Sequence, residues 1–436
     1  MQSDASPLYV SKVQLTNIKC FGQASLEIDH GSQGAPWTVV VGDNASGKTA
    51  LLRSLALGLC DESSAAGLMK ESDEGYVRRG AQSGEIVIEL VDKGSSERFR
   101  ITTTITKNAI DSMDFENVRK TTDPEAAFPW HRIFACAYGM GRATGGTGDI
   151  SGYSVINAVY NLFNYGEGLQ NPELTILRIP NDQLREYWLG QLAAIFDFES
   201  TAIRRTDRGI TVTDRRWGEE MPLRDLADGY RATFLWIADF LGWALAFDHS
   251  TQSADAVSGI LLVDELEQHL HARWQRTIVA SLRKLFPRVQ FIVTTHSPFV
   301  ATSIGDLSRR DANDTLVLTE LAEDSSAVRL ESLDTMQTYR FEQVLASRAF
   351  RYVIEANPKL EEAIKRASEL SDKGEQRTEA EEQEYEVLKA QLKGTPFLRA
   401  TSSVEREIER DELAELKHRE EESDRNEVQQ EDGAND

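Results

Sequence analysis

A glycine-rich run beginning at residue 42 has the residue types and spacing of a phosphate-binding loop. The stretch VVVGDNASGKTALLR contains the pattern G-x-x-x-x-G-K-[ST] in full. Its glycines let the backbone N–H groups surround phosphate oxygens at the positive end of a helix. Lys48 would neutralise phosphate charge, and the Thr49 hydroxyl would ligate Mg²⁺. The sequence therefore predicts a nucleotide site formed by Gly42, Asp43, Asn44, Ala45, Ser46, Gly47, Lys48 and Thr49.

Two adjacent carboxylates follow a second apolar run, GILLVDELEQHL. Asp264 ends the expected strand, where an aspartate suits the support of Mg²⁺. Glu265 comes next and suits a general base that polarises an attacking water. An Asp-Glu pair at a strand end is common. A phosphate loop in the same chain favours a functional role for this pair in the nucleotide site.

A histidine follows a third apolar run, VQFIVTTHSP. Such a histidine is usually a turn residue, but His296 after this strand could also donate to the γ-phosphate of a nucleotide. A zinc site using His269, His271 and His296 is the competing interpretation. The absence of H-E-x-x-H, and of a suitably spaced Cys or third carboxylate, argues against it.

The elements that must position these residues alternate between strands and helices, which is typical of an α/β protein. We expect helices over residues 50–60, 226–248 and 271–286 and mostly helix over 152–200. We expect strands within 8–41 and over 131–138, 209–213, 259–264, 289–295 and 315–321, and a hairpin over 84–107.

The character of the chain changes after about residue 340. Residues 358–394 have sparse apolar positions among many charges, which predicts two helices broken near Gly374. Residues 401–436 carry 14 acidic and 5 basic side chains, and we expect much of this tail to be disordered.

The segment LADGYR, residues 226–231, opens an apolar helical run and is similar to an ABC signature. With the three motifs above and HLH at 269–271, it resembles the RecF/SMC-related branch of ABC-type ATPases. More narrowly, the chain is similar to the ATPases of bacterial anti-phage systems of the Septu, retron-associated and OLD-like types. DGYRA and the run YGMGR at 138–142 carry that narrower resemblance, which covers about residues 8–305.

The resemblance implies an α/β fold: an ABC-type P-loop ATPase head with a mixed sheet, an antiparallel β subdomain and a helical insertion. The head would span residues 1–340, with a first lobe at 8–130, the insertion at 131–225 and a second lobe at 226–340. A helical extension over 341–400 and the acidic tail would follow.

The resemblance also implies a head-to-tail homodimer, or a higher oligomer built from it, that holds ATP and Mg²⁺ between protomers. Thr49 and Asp264 would hold Mg²⁺, Glu265 would be the base, and His296 would sense the γ-phosphate. The signature residues Asp228, Gly229 and Arg231 would bind nucleotide across the dimer.

One residue departs from the family pattern. Ala227 stands where the signature has a serine whose hydroxyl binds the γ-phosphate. Losing this charge-assisted bond removes about 1.5–3 kcal/mol of interaction, which is compatible with slow hydrolysis or with ATP used as a clamp rather than as a fuel. Gln82 is a positional candidate for the glutamine loop.

Composition narrows the class of partner. The net charge of −23 argues against nucleic-acid binding through a generally basic surface, although a local basic patch is compatible with it. The three scattered cysteines favour a reducing compartment. No secretory signal is evident, and the longest apolar run, 234–247, is too short to span a bilayer. We therefore expect a cytoplasmic protein.

The first functional hypothesis is an ATPase subunit of a bacterial anti-phage complex that controls a separately encoded nuclease, since no nuclease motif is evident in the chain. Residues 358–394 would dock that partner or form a solvated extension. The alternative is a RecF/SMC-like DNA-repair ATPase acting as an ATP-gated clamp. A transporter's nucleotide-binding subunit is disfavoured, because the stretch after Thr49 is rich in strands.

Overall fold

The computed structural model divides the chain into two compact units, Met1–Thr338 and Tyr339–Asp436. The residues it describes are 7–28, 35–71, 75–110, 113–142, 150, 152–166, 168–177, 179, 181–207, 209–214, 218, 220–304, 314–322, 327–333, 336, 341–345, 347–350, 358–374 and 377–392.

The first part of unit one is rich in strands. Strands with one buried face alternate apolar and polar residues, whereas WTVVVG is buried along its whole length, as a central strand must be. The elements are β1 (Leu8–Ile18), β2 (Phe21–Glu27), β3 (Trp37–Gly42), α1 (Lys48–Leu59), α2 (Glu62–Glu71), β4 (Ser83–Asp92), β5 (Arg98–Ile110), β6 (Met113–Asp123) and β7 (Ala135–Tyr138).

The second part carries most of the helices and the remaining strands. The elements are α3 (Val155–Val159), α4 (Pro172–Leu177), α5 (Asp182–Ile195), β8 (Ile203–Thr206), β9 (Gly209–Thr213), β10 (Glu220–Pro222), α6 (Asp228–Phe247), β11 (Ser258–Val263), α7 (Ala272–Gln275), α8 (Ile278–Leu285), β12 (Arg288–Thr294), α9 (Pro298–Thr302), β13 (Thr315–Leu321) and β14 (Val328–Leu333).

A central six-stranded sheet has the order β14-β13-β3-β12-β11-β7. Its strands are parallel except β14, which runs antiparallel to β13, so the predicted mixed sheet is confirmed. The carboxyl ends of β3, β11 and β12 therefore lie at one edge of the sheet. The edge strand β7 of this six-stranded sheet comes from within residues 131–225, the stretch that the sequence suggested as an insertion.

An antiparallel five-stranded sheet of order β2-β1-β4-β5-β6 forms the β subdomain. The predicted hairpin corresponds to β4 and β5 and is confirmed. The sequence did not reveal β6. This edge strand, MDFENVRKTTD, contacts water along much of its length, so it lacks the apolar alternation by which strands are recognised. A third, three-stranded sheet has the order β10-β9-β8.

The helix α1 packs against both larger sheets and is buried nearly all round. Leu51, Leu52 and Leu55 are fully enclosed, and truncating such a leucine to alanine costs about 2–5 kcal/mol. Because α1 begins at the phosphate loop, this packing fixes the direction in which the loop's amides point.

The helix expected over 271–286 is interrupted. It splits into α7 and α8 at Arg276 and Thr277. The Gln275 side chain donates to the Leu270 carbonyl and accepts from the Ser297 hydroxyl, which ties the short helix to neighbouring loops. Tertiary bonds of this kind have no counterpart in local helical periodicity.

Unit two contains α10 (Phe341–Leu345), α11 (Pro358–Lys373) and α12 (Glu379–Leu392). α11 and α12 pair as the predicted helical hairpin, and Gly374 at the break has a φ of +50°. The Arg366 guanidinium and Glu384 carboxylate form a double hydrogen bond across it at 2.9 and 2.8 Å. The acidic tail, residues 401–436, lies outside the described residues.

Candidate nucleotide-binding site

The phosphate loop joins β3 to α1 and depends on two glycines with positive φ. A Cβ on Gly42, whose φ is +149°, would come within 2.4 Å of the Thr319 carbonyl oxygen. Gly47, at φ +92°, caps α1, and a Cβ there would meet the Cys20 sulfur at 2.5 Å. Both positions therefore exclude larger residues, which is the steric reason for the motif's spacing.

Lys48 lies at the base of the loop and is 6% exposed. Its ammonium donates to the Gly42 and Asp43 carbonyl oxygens at 2.8 and 2.7 Å. Burial lowers the pKa of Lys48, and the negative charges of Asp264, Glu265 and Asp43 partly offset this effect. The loop thus holds a cation beside the amides at the start of α1, an arrangement that suits a phosphate.

Asp264 joins the phosphate loop to the next two strands. Its carboxylate accepts a hydrogen bond from the Thr49 hydroxyl at 2.7 Å and from the Thr294 hydroxyl at 2.6 Å. Thr294 Oγ1 in turn accepts the Glu265 amide at 2.8 Å. The start of α1 and the carboxyl ends of β11 and β12 therefore meet at one buried carboxylate.

The Thr49 and Asp264 oxygens fit a magnesium ion. Mg²⁺ prefers hard oxygen ligands and is usually bound through one or two protein groups together with nucleotide phosphates and water. Thr49 is the residue that would ligate the ion directly, and Asp264 is placed to hold its water ligands.

Glu265 lines the cleft directly after Asp264. Burial is the largest influence on its carboxyl and, together with the negative charges of Asp264 and Glu267, raises its pKa above the ordinary value. His296 and Arg142 act in the opposite direction. A carboxylate with a raised pKa accepts a proton more readily, which suits a general base.

His296 also lines the cleft, at the end of the strand that carries Thr294. Its backbone amide donates to the Glu267 carboxylate, which also accepts the Thr295 hydroxyl at 2.7 Å. Glu267 therefore fixes the turn that presents His296. Glu267 belongs to no motif, and its position three residues after Asp264 is its only sequence signal.

These residues enclose a cleft of about 530 Å³. The sequence-predicted residues that line it are Asn44, Ala45, Ser46, Gly47, Lys48, Thr49, Asp264, Glu265 and His296. Lys19, Cys20, Val77 and Arg79 line it too and were missed. Lys19 and Cys20 form the tight turn between β1 and β2, where the positive φ of Lys19 has no sequence signal as clear as a glycine.

The signature residues lie outside the residues that line this cleft. Ala227 caps α6 and, with Asp228, is exposed. Arg231 forms an ion pair with Asp228 at 3.8 Å. Gly229 is needed for close packing, because a Cβ there would lie 2.3 Å from the His269 carbonyl oxygen. The structure thus does not bring Asp228, Gly229 and Arg231 to the phosphate loop of the same chain.

Two further sequence assignments concern residues beside the site. Gln82, the positional candidate for a glutamine loop, immediately precedes β4, and its carbonyl accepts the Lys107 amide. It is not among the residues lining the cleft. His271, considered as a zinc ligand, caps α7 and accepts the Arg273 amide at 3.3 Å.

Two family models match parts of this chain. A family model described as "AAA domain, putative AbiEii toxin, Type IV TA system" matches residues 141–302, and one described as "AAA domain" matches residues 12–132. The chain is 27% identical to Septu protein PtuA of Bacillus mycoides (strain KBAB4) over 354 residues, which cover 78% of this chain and 45% of that protein. It is 31% identical over 132 residues to the "Retron Vc95 probable ATPase" of Vibrio cholerae serotype O1 biovar El Tor, covering 28% of this chain and 26% of that protein.

Among solved structures, the SMC head domain from Thermotoga maritima aligns with a TM-score of 0.42 and 13% identity, covering 74% of this chain and 99% of that one. The chain spans less than half the length of each of these two relatives. The resemblance to Septu and retron ATPases that the motifs indicated is confirmed. Within the described ranges, no helix is long and apolar enough to cross a membrane.

Proposed function

We propose that this chain is the ATP-binding and hydrolysing subunit of a bacterial anti-phage defence complex. The observation that carries the proposal is the hydrogen-bonded connection from Thr49 through Asp264 to Thr294, which joins the phosphate loop to the carboxylates after β11. Similarity to Septu PtuA and to a retron ATPase supports the assignment to a defence system.

ATP binding rests on Lys48 and the amides at the start of α1. The Lys48 ammonium, which bonds to two loop carbonyls, turns to the phosphate oxygens. Thr49 and, through water, Asp264 would hold a Mg²⁺ ion, which would neutralise phosphate charge.

Glu265 accepts a proton from the attacking water. The water oxygen bonds to the γ-phosphorus while the bond from that phosphorus to the β–γ bridging oxygen breaks, giving ADP and inorganic phosphate. His296, which lines the same cleft, donates a hydrogen bond to a γ-phosphate oxygen. General-base assistance of this kind contributes about 10²–10⁴-fold to a rate.

The second half of each site comes from another copy of the chain. Asp228, Gly229 and Arg231 lie outside the cleft of their own chain, and the end of α6 that carries them is exposed. Two copies arranged head to tail would place the positive end of each α6 against the γ-phosphate held by the other.

A separately encoded nuclease is the effector in this proposal. The paired helices α11 and α12 belong to the second unit, and Val387 on α12 is 57% accessible among charged side chains. An apolar residue within a polar rim is a common element of a docking surface.

Two substitutions test the ATPase assignment. Lys48→Ala should lose ATP affinity, because it removes the cation of the loop. Glu265→Gln should keep ATP affinity but slow turnover about 10²-fold or more, because only the base is lost. Glu220→Gln, an exposed carboxylate on β10, is the matched control. Turnover by Glu265→Gln at the wild-type rate would exclude Glu265 as the base.

Affinity purification from the native host tests the effector. The tagged full chain should recover a nuclease, and the chain lacking residues 340–436 should recover much less. Failure of the full chain to recover any nuclease would contradict this part of the proposal. ATP turnover that DNA stimulates and salt weakens would favour the DNA-clamp alternative.

A further inference from the structure

Arg142 is a buried cation directly behind the two site carboxylates. β7 pairs in parallel with β11, with Tyr138 opposite Val263, so the residues after β7 lie beside Asp264. Arg142 is 1% exposed. Its guanidinium donates to the carbonyl oxygens of Gly139, Asp264 and Glu265.

The bonding of Arg142 is unusual for a buried arginine. Among the residues that the structure describes, its guanidinium has no carboxylate within ion-pairing distance. Burial lowers the pKa of Arg142 to about 10, although the charges of Asp264, Glu267 and Glu265 oppose this shift. A buried charge that forms no ion pair is costly. The planar fork of a guanidinium explains its use here, because it can bind the carbonyls of two successive residues at once.

We call the hydrogen bonds from the Arg142 guanidinium to the Asp264 and Glu265 carbonyl oxygens the Arg142 clamp. This clamp holds a residue with a strained backbone. Glu265 has a φ of +48°, in the left-handed region that a non-glycine residue adopts only when its surroundings hold it there. Its amide is bound by Thr294 Oγ1 and its carbonyl by Arg142. Both peptide groups of Glu265 are therefore fixed, and the side chain enters the cleft from a backbone that cannot relax.

We propose that Arg142 is a positioning residue for ATP hydrolysis. It does not line the cleft. Instead it holds the Asp264–Glu265 backbone in the conformation from which Glu265 reaches the attacking water. The inference rests on the proposed ATPase function and adds a residue to its machinery. A misplacement of about 1 Å in a reacting group can cost about 10²-fold in rate.

Arg142→Lys and Arg142→Met test the clamp. Lysine keeps the charge but cannot bind two successive carbonyls with one planar group, and methionine removes both features. Both variants should retain ATP affinity within about twofold while kcat falls about 10–100-fold. Because hydrolysis fails after binding, both should also accumulate an ATP-dependent dimer, as Glu265→Gln should. Partial unfolding would lower ATP affinity together with kcat, so it would not give retained affinity, reduced kcat and an accumulated dimer.

Arg283→Lys is the matched control. Arg283 is a comparably buried arginine that pairs with Asp314 near the opposite end of β3. It should lower the melting temperature without separating kcat from ATP affinity. Wild-type kcat in Arg142→Lys and Arg142→Met would overturn the inference, and so would parallel losses of kcat and affinity like those of the control. A wild-type chain without ATPase activity would refute the proposed function as well, whereas an inactive Glu265→Gln beside a fully active Arg142→Met would refute only the clamp.

Discussion

Ala227 occupies the N-cap of α6 with the backbone angles of a cap, φ −53° and ψ 143°, but it offers no oxygen to the first-turn amides. A serine here would have two separate effects. It would cap the helix within the chain, and it would present a hydroxyl to a γ-phosphate held by another copy. In the proposed dimer, the departure from the family pattern would therefore change ligand binding as well as stability.

Ala227→Ser and Ala227→Asp separate these effects. Both side chains can cap α6, which is worth about 1 kcal/mol of unfolding free energy. Only serine can donate to a phosphate, whereas aspartate repels it. Both variants should melt at a higher temperature than wild type in thermal denaturation, and only Ala227→Ser should hydrolyse ATP faster. Equal ATPase rates in the two variants would contradict a role for this position across the dimer.

The site residues that the sequence predicts are those whose motif is local. Gly42 to Thr49, Asp264 and Glu265 follow strands whose apolar runs are plain in the sequence, so parallel pairing brings them together. Arg142 ends the run YGMGR after β7, but neither it nor Glu267 belongs to a motif that reveals its role. Their roles arise from hydrogen bonds to backbone groups that pairing and turns bring within reach, which a single sequence does not display.

At the scale of elements, the antiparallel sheet supplies a cation to the C-terminal end of α1, the helix that follows the phosphate loop. α1 has no basic residue in its last turn. Lys120 on β6 supplies that cation, donating to the Leu57 and Gly58 carbonyl oxygens at 2.6 and 3.0 Å. The strand that the sequence did not reveal therefore binds the C-terminal end of the helix that begins at the phosphate loop.

The contribution of Lys120 to the free energy of unfolding should depend measurably on pH. Burial lowers its pKa from 10.5 to about 8. Between those values the unfolded chain binds more protons than the folded one, so the contribution of Lys120 to stability rises with pH. Relative to Lys120→Met, the wild-type free energy of unfolding should increase by about 3 kcal/mol from pH 8 to 10.5. Urea denaturation across this range measures it, and a constant difference would contradict the assignment.

On the scale of the whole molecule, one part of the proposed ATP site lies in the cleft and the other lies outside the residues that line it. The phosphate loop and both carboxylates share a cleft, while the N-terminus of α6 is exposed outside it. Such an arrangement suits a symmetric pair in which each copy completes the site of the other.

Mixing two inactive variants tests this arrangement. Lys48→Ala should disable the loop, and Ala227→Glu should place a repelling charge at the exposed end of α6. A head-to-tail heterodimer keeps one intact site, so the mixture should recover up to roughly a quarter of wild-type ATPase activity. Mixing Lys48→Ala with Glu265→Gln should recover none, because both changes fall on the same half of the site. Failure of the first mixture would argue against sites shared between chains.

Cys20 lies against Gly47 at the wall of the cleft and is half-buried, whereas Cys60 and Cys136 are fully enclosed. Burial raises the pKa of the Cys20 thiol, so alkylating reagents should modify it slowly at neutral pH and faster in alkaline buffer. Bound ATP should shield it. The native chain thus carries an intrinsic footprinting probe, whose alkylation followed by mass spectrometry would report nucleotide occupancy without an added label.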